Sequence, residues 1–246
     1  MAVQIESLKS IPYFSGLNPA ELEAIRKYVF EKTAARDEVI LLEGDTSDAL
    51  YFVVSGVVKV FKTSAEGKEQ IIRIVRPGES FNDVSVFDGA PNPTSAQAMG
   101  PVVISGITRN DLQNVLRDYP QVALNVNKVL AGQVRELMAL VEDLSFKHVV
   151  NRVAKILLEN AGNGAGSPPR LTQREMAAMA GTAREIIGRS LKALEQAHAI
   201  RLDRNRIMIT DRETLREMAM MAPQARGRAR PVGSAAGTTR DEGQQL

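Results

Sequence analysis

The stretch Leu171 to Ala197, LTQREMAAMAGTAREIIGRSLKALEQA, constrains this chain more tightly than any other. Thr172 with Glu175 three residues on is a capping box, which satisfies two of the orphan N–H groups that open a helix. Met176, Met179 and Ala180 then recur at helical spacing. Gly181 can enter the left-handed region and so end that helix. Thr182, again with Glu185 at the third position, is expected to cap a second helix. In it Ile186, Ile187, Leu191 and Leu194 face inward. Arg184, Glu185, Gly188 and Arg189 fall on the other side, near the N-terminal end. Two short helices meeting steeply through a glycine turn make a helix-turn-helix, whose second helix enters a DNA major groove N-terminus first. Arginine there suits guanine O6 and N7, and a carboxylate accepts from cytosine N4. Arg184, Glu185 and Arg189 are the expected base readers. An ordinary helical hairpin with a solvated face has no need of two caps, a turn glycine and an outward Arg-Glu-x-x-Gly-Arg array together.

The charge distribution agrees. The net +2 divides unevenly: residues 1–146 carry 14 Lys/Arg against 19 Asp/Glu, and residues 147–222 carry 13 against 8. Positive charge gathers where phosphates would be neutralised. No apolar run approaches the roughly 20 residues a membrane span needs, and MAVQIESLKS lacks the basic-then-apolar pattern of a leader. A cytoplasmic protein with no membrane partner is expected. Without cysteine there is no disulfide, thiolate-ligated iron–sulfur cluster, thiolate haem ligand or thiol switch. The two histidines, His148 and His198, have no acid or nucleophile at a recognisable spacing, and no phosphate loop or metal cluster stands out, so no enzyme is expected.

Taken in order, Ile5, Leu8 and Ile11 precede Pro12, and Asn18-Pro19 opens a helix expected to run through Leu22, Ile25 and Val29. From Val39 the pattern turns to short β-rich runs: VILLEGD, LYFVVSGVVKVF, EQIIRIV, SFNDVSVF and VVISGIT. Glycine turns separate them, as in an antiparallel roll or barrel that is solid or holds one small ligand. Helix restarts at Asn110-Asp111-Leu112, and a long helix follows Tyr119-Pro120. Asn127, Val134 and Val141 take one heptad position in it, and Leu130, Leu137 and Leu144 the other. Such a seam suits a parallel two-stranded coiled coil, with the asparagine fixing register. Helix-turn-helix proteins commonly read two half-sites as twofold dimers, so a homodimer is expected. Phe146 to Asn160 reads as another helix, with Val149, Val153, Ile156 and Leu157 inward, and residues 161–169 as a surface loop. Ile200–Leu202 and Arg206–Ile209 alternate around Asp203-Arg204-Asn205, a hairpin or wing. Asp211 caps a last helix through Leu215 and Met218. Residues 223–246, rich in Gly and Arg, read as a disordered basic tail. The expected class is α+β: an effector-sensing β-roll with flanking helices (1–120), a dimerisation helix (121–146), a winged helix-turn-helix (147–222) and the tail.

An acidic roll, a long helix and a basic winged helix-turn-helix together resemble the Crp/Fnr family, named after the cyclic-AMP receptor protein. The likeness covers roughly residues 10–218. It is carried by Glu43-Gly44-Asp45, by Leu50 to Val60 (LYFVVSGVVKV), by Pro77-Gly78-Glu79-Ser80-Phe81, by Leu171 to Ala177 (LTQREMA), and by Arg184-Glu185-Ile186-Ile187-Gly188-Arg189 with Leu191-Lys192-x-Leu194-Glu195. The resemblance implies a homodimeric transcription regulator on an inverted repeat, with Arg184, Glu185 and Arg189 reading a TGTGA-like half-site. It places Gln173, Arg174 and Lys192 at phosphates, where Thr182, Arg204 and Arg206 are expected to join them, and it brings RNA polymerase as partner if the protein activates.

The effector pocket departs from the pattern. Members that bind cyclic nucleotides carry Phe-Gly-Glu and then Arg-Ser or Arg-Thr, the arginine clamping the phosphate. Here the segments are Phe81-Asn82-Asp83 and Asn92-Pro93-Thr94-Ser95, with no arginine beside Pro93. Leu137 and Met138 stand where the cyclic-AMP receptor meets adenine. A buried phosphate without its cation costs several kcal/mol, so tight cyclic-AMP binding is not expected. Phe81, Asn82, Asp83, Val86, Thr94, Ser95, Leu137 and Met138, with Phe87, outline a fairly apolar pocket that takes a hydrophobic or weakly polar small effector or is filled by side chains, as in a regulator without an effector. Haem stays open as a cofactor, as does a cyclic-AMP-dependent regulator. A cyclic-nucleotide module acting without DNA is disfavoured by the missing arginine and the winged motif.

Overall fold

The computed structural model describes residues 4–161, 171–203 and 206–221. Helices α1 (Ile5–Lys9) and α2 (Pro19–Arg26), joined through a 3-10 turn at Pro12–Phe14, precede a roll of two four-stranded antiparallel sheets. The first runs β1 (Val29–Ala34), β8 (Val102–Thr108), β3 (Ala49–Ser55), β6 (Ser80–Phe81) across the sheet. The second runs β2 (Val39–Leu41), β7 (Ser95–Ala98), β4 (Val58–Thr63), β5 (Glu69–Val75). Helix α3 (Asp83–Asp88) follows β6, and α4 (Arg109–Asp118) leads into the long α5 (Pro120–Phe146). The C-terminal part comprises α6 (Val149–Glu159), α7 (Gln173–Ala180), α8 (Arg184–Gln196), the hairpin β9 (Ile200–Asp203) with β10 (Arg206–Ile209), and α9 (Arg212–Met220). An α+β architecture of roll, long helix and winged helix-turn-helix results.

Alternation along the strands fills the space between the sheets with Val53, Val58, Val75, Phe81, Ala96 and Ile104. On the outer side of the first sheet, Phe52 and Ile107 meet Leu8, Tyr13, Phe14, Leu22, Leu112 and Val122, so the terminal helices and the start of α5 cap the roll. Asn125, buried in α5, donates to the carbonyls of Tyr13 and Ser15 at 3.0 and 2.8 Å and fastens the helix there. From Leu124 on, no described residue covers one side of α5. Leu124, Val134, Leu137, Met138 and Val141 are 46–67 % exposed, and Asn127 lies exposed among them. The third core, around Val153, Met176, Ile187, Leu191, Leu194 and Leu215, belongs to the C-terminal part alone.

Several local expectations are corrected. Helix α2 stops at Arg26, and Val29 instead begins β1, pairing with Ile107; β structure therefore starts ten residues before Val39. Cross-strand pairing over six residues outweighs the helical spacing of Leu22, Ile25 and Val29. SFNDVSVF is a strand only at Ser80–Phe81. Asn82 turns left-handed (φ 69°), and Asp83 then enters α3 with Val86 inward and Val84 exposed. Phe146 ends α5 rather than opening α6, because Lys147 and His148 are extended and break the helix (ψ 142° and 152°). The loop 161–169 and the basic tail lie outside the described residues, apart from Ala161.

Candidate nucleic-acid interface

The capping box forms at α7: Glu175 N–H donates to Thr172 Oγ1 at 3.2 Å, and Thr172 N–H to Glu175 Oε2 at 2.6 Å. Gly181 (φ 60°) turns the chain, its N–H and that of Thr182 both donating to the Ala177 carbonyl. The left-handed backbone at this position favours glycine, and a Cβ there would also press on the ends of the Leu144 and Gln70 side chains, which would have to move aside. The second cap is corrected: Ala183, not Thr182, is the N-cap of α8, with no side-chain cap bond. The first turn of α8 thus keeps N–H groups open, which suits an anion approaching that end.

Helix α8 is two-faced. Ile187, Ser190, Leu191 and Leu194 are buried, Ile186 half-buried, and Arg184, Glu185, Arg189 and Lys192 exposed. The three expected base readers share the outward side of the first two turns. Gln173 is exposed at the start of α7, and Thr182 is half-buried in the turn. Arg174, also exposed, lies 3.3 Å from Glu69 of β5. In the wing, Leu202 N–H donates to Glu195 at 2.8 Å and ties the hairpin to α8. Arg206 is exposed there, and Arg204 lies outside the described residues. Arg201, also exposed, pairs with Met208 across the hairpin. His148 and His198 are both exposed, and neither enters this surface.

The residues expected to line an effector pocket do not come together around one. Asp83 is 4 % exposed and its carboxylate accepts from the Tyr13 hydroxyl and from Ser80 Oγ. Burial, and then that carboxylate, push the Tyr13 phenol well above its ordinary pKa. Asn82 Nδ2 donates to the Ala49 carbonyl at 2.8 Å, and Ser95 Oγ accepts from Glu43 N–H at 3.0 Å. Thr94 is half-buried. Phe81 stacks on Tyr51 and Val86 sits in the core, whereas Leu137 and Met138 are on the bare side of α5. The expected apolar pocket is therefore not closed within one chain. A cavity of about 430 Å³ lies between β5, α5 and α6 and includes Arg73, Arg76, Glu136 and Lys155, and a smaller one of about 170 Å³ is lined by Tyr13, Ser80 and Glu136. Tyr13 carried no sequence signal as partner of Asp83, being 70 residues away.

A roll joined by a long helix to a winged helix-turn-helix with outward arginines is the architecture of a DNA-binding regulator. Residues 31–119 match the cyclic nucleotide-binding domain and residues 151–218 the Crp-like helix-turn-helix domain. The chain belongs to the Crp/Fnr family of transcription regulators. It is 33 % identical to the Cyclic AMP receptor protein of Thermus thermophilus, over 86 % of this chain and 98 % of that protein. It is 31 % identical to the CRP-like cAMP-activated global transcriptional regulator of Mycobacterium tuberculosis, over 87 % and 99 %. FixK2 from Bradyrhizobium japonicum superposes with a TM-score of 0.70 at 25 % identity, over 79 % of this chain and 99 % of that one. No described helix is long and apolar enough to cross a membrane.

Proposed function

We propose that this regulator works in the cytoplasm as a homodimer that reads a TGTGA-like inverted repeat. Arg184, Glu185 and Arg189 read bases, while Gln173, Arg174, Thr182, Lys192, Arg204 and Arg206 meet phosphates. The working parts are the sensor to residue 120, the dimerisation helix 121–146 and the DNA-binding unit 147–222, with RNA polymerase as further partner if it activates. The observation that carries the reading is the two-sided α8, its inner side buried and its arginines bare. A dimer is supported by the apolar stripe on α5. Selection of duplexes from a random pool tests it: a twofold motif is expected, and Arg189→Ala lowers the preference by about 1–3 kcal/mol per half-site. Recovery of no twofold motif overturns the reading.

The effector is proposed to be a small molecule other than cyclic AMP. Asp83, the stand-in for a ribose-binding glutamate, is engaged by Tyr13 and Ser80, and Pro93 stands where a phosphate-clamping arginine would. The second reading, a cyclic-AMP response, is favoured by the cAMP-activated Mycobacterium relative. Calorimetry with cyclic AMP separates them: no tight binding is expected, and a submicromolar dissociation constant establishes the second.

A further inference from the structure

Arg174 opens α7 on the side proposed to meet DNA, yet its guanidinium is turned to the sensor. Arg174 Nη2 lies 3.3 Å from Glu69 Oε1, where the carboxylate is 22 % exposed and the guanidinium 79 %. The other oxygen of Glu69 accepts from Lys59 Nζ at 2.8 Å, which fixes the carboxylate on the β4–β5 hairpin. The ion pair sits at the rim of a packed contact. Ala178 of α7 is buried with Val57, Phe61, Ile71, Ile74 and Met99 of the roll, and Gln70 Nε2 donates to the Met179 carbonyl at 3.5 Å. The helix that would present Arg174 to a phosphate is therefore seated on the sensor.

We propose that Glu69 is an internal stand-in for a DNA phosphate, holding Arg174 while α7 is docked and competing with the duplex for it. A carboxylate and a phosphate offer a guanidinium the same charged oxygen acceptors, and the Nη2 edge turned to Glu69 is not presented to a phosphate at the same time. Each duplex must displace Glu69 before it gains the Arg174 contact, so the β4–β5 hairpin sets DNA affinity without touching DNA. Any change in the sensor that moves this hairpin changes how firmly Arg174 is withheld. The phosphate role of Arg174 is the one proposed above, and the competition rests on it.

The full-length chain is titrated at low salt onto a labelled random-sequence duplex, followed by fluorescence anisotropy. Glu69→Gln is expected to tighten binding about two- to fivefold, the range a partly exposed ion pair supports. In an Arg174→Gln background the same change is expected to have a markedly smaller effect, because the competitor has lost its target. Glu69→Asp keeps the charge but shortens the reach; it too should tighten binding, and it decides the matter if Glu69→Gln does not fold. Unchanged affinity in the Glu69 variants, or equal gains with and without Arg174, overturns the competition while leaving DNA binding intact. A wild-type chain that binds no duplex overturns the DNA-binding reading and the competition with it.

Discussion

Leu137 lies midway along the bare stripe of α5 and is 46 % exposed in the single chain. Full burial of a leucine stabilises by about 1.5–3 kcal/mol, so a partner helix that covers the exposed half gains about 1 kcal/mol per chain. A twofold dimer contains the residue twice. Leu137→Ala is therefore expected to weaken association by about 2 kcal/mol, about 30-fold in dissociation constant. Leu137→Glu goes further, since it sets two carboxylates against each other on a dry seam where an unpaired charge costs several kcal/mol. Sedimentation equilibrium measures both, with circular dichroism to show that the helices persist. Because Leu137 contributes to no described core cluster, the fold should survive either change. A Leu137→Glu protein that remains dimeric with unchanged affinity refutes the assignment of this stripe as the seam.

Tyr13→Phe removes one of two donors to a buried carboxylate and should destabilise the roll by about 1–3 kcal/mol in urea denaturation; no measurable change would mean that Asp83 does not depend on it. Asp143 supplies a pH test. Burial pushes its pKa up, but hydrogen bonds from Lys147 and Lys155 outweigh this and hold it below the ordinary carboxylate value. A depressed folded pKa means stability fully present above the unfolded value, about 3.9, and lost as pH falls below it towards the folded one. The urea midpoint of wild type should therefore fall in that acid window more steeply than that of Asp143→Asn; parallel curves would remove Asp143 as the cause.

The helix-turn-helix was legible because its determinants are local. Thr172 and Glu175 are three residues apart, Gly181 occupies the one left-handed position of the turn, and burial alternates along α8 with its own period. The roll was legible as a class but less so in its boundaries, since pairing partners lie far apart. Val29 reads as helix until Ile107 is beside it, and the cue that Asn82 turns left-handed, an asparagine where the family pattern has glycine, is hidden in a run that reads as strand. The sensor residues were the least legible. A motif comparison puts Asp83 at a ligand position, but the group that engages it, Tyr13, comes from a segment ahead of the roll. Local chemistry is written in neighbouring letters, whereas the occupancy of an interior carboxylate is decided by whichever distant side chain the topology delivers. The Glu69–Arg174 pair, 105 residues apart, is of the same kind.

How a change in the roll would reach α8 follows from what holds the two parts together. Arg152 of α6 donates to the carbonyl of Ala180 at 2.8 Å, at the end of α7, and to those of Lys147 and Asp143 at 2.6 and 3.3 Å, at the end of α5. The Asp143 carbonyl also accepts the Lys147 N–H at 3.1 Å, whereas that of Ala180 is one a helix terminus leaves open, so one guanidinium ties together two helix ends. Asp143 doubles the link by pairing with Lys147 and with Lys155 of α6. The end of α5 is thus fixed to the DNA-binding unit by charged, partly buried bonds, while its start is fixed to the roll by Asn125. Between those anchors lie the bare stripe and Glu136, which reaches Arg73 of β5 at 3.6 Å. A displacement of β5 against α5 has two direct routes to the helix-turn-helix: along α5 to Arg152, and across the hairpin through Glu69 to Arg174. Both links end on α7, at Ala180 and at Arg174, rather than on α8.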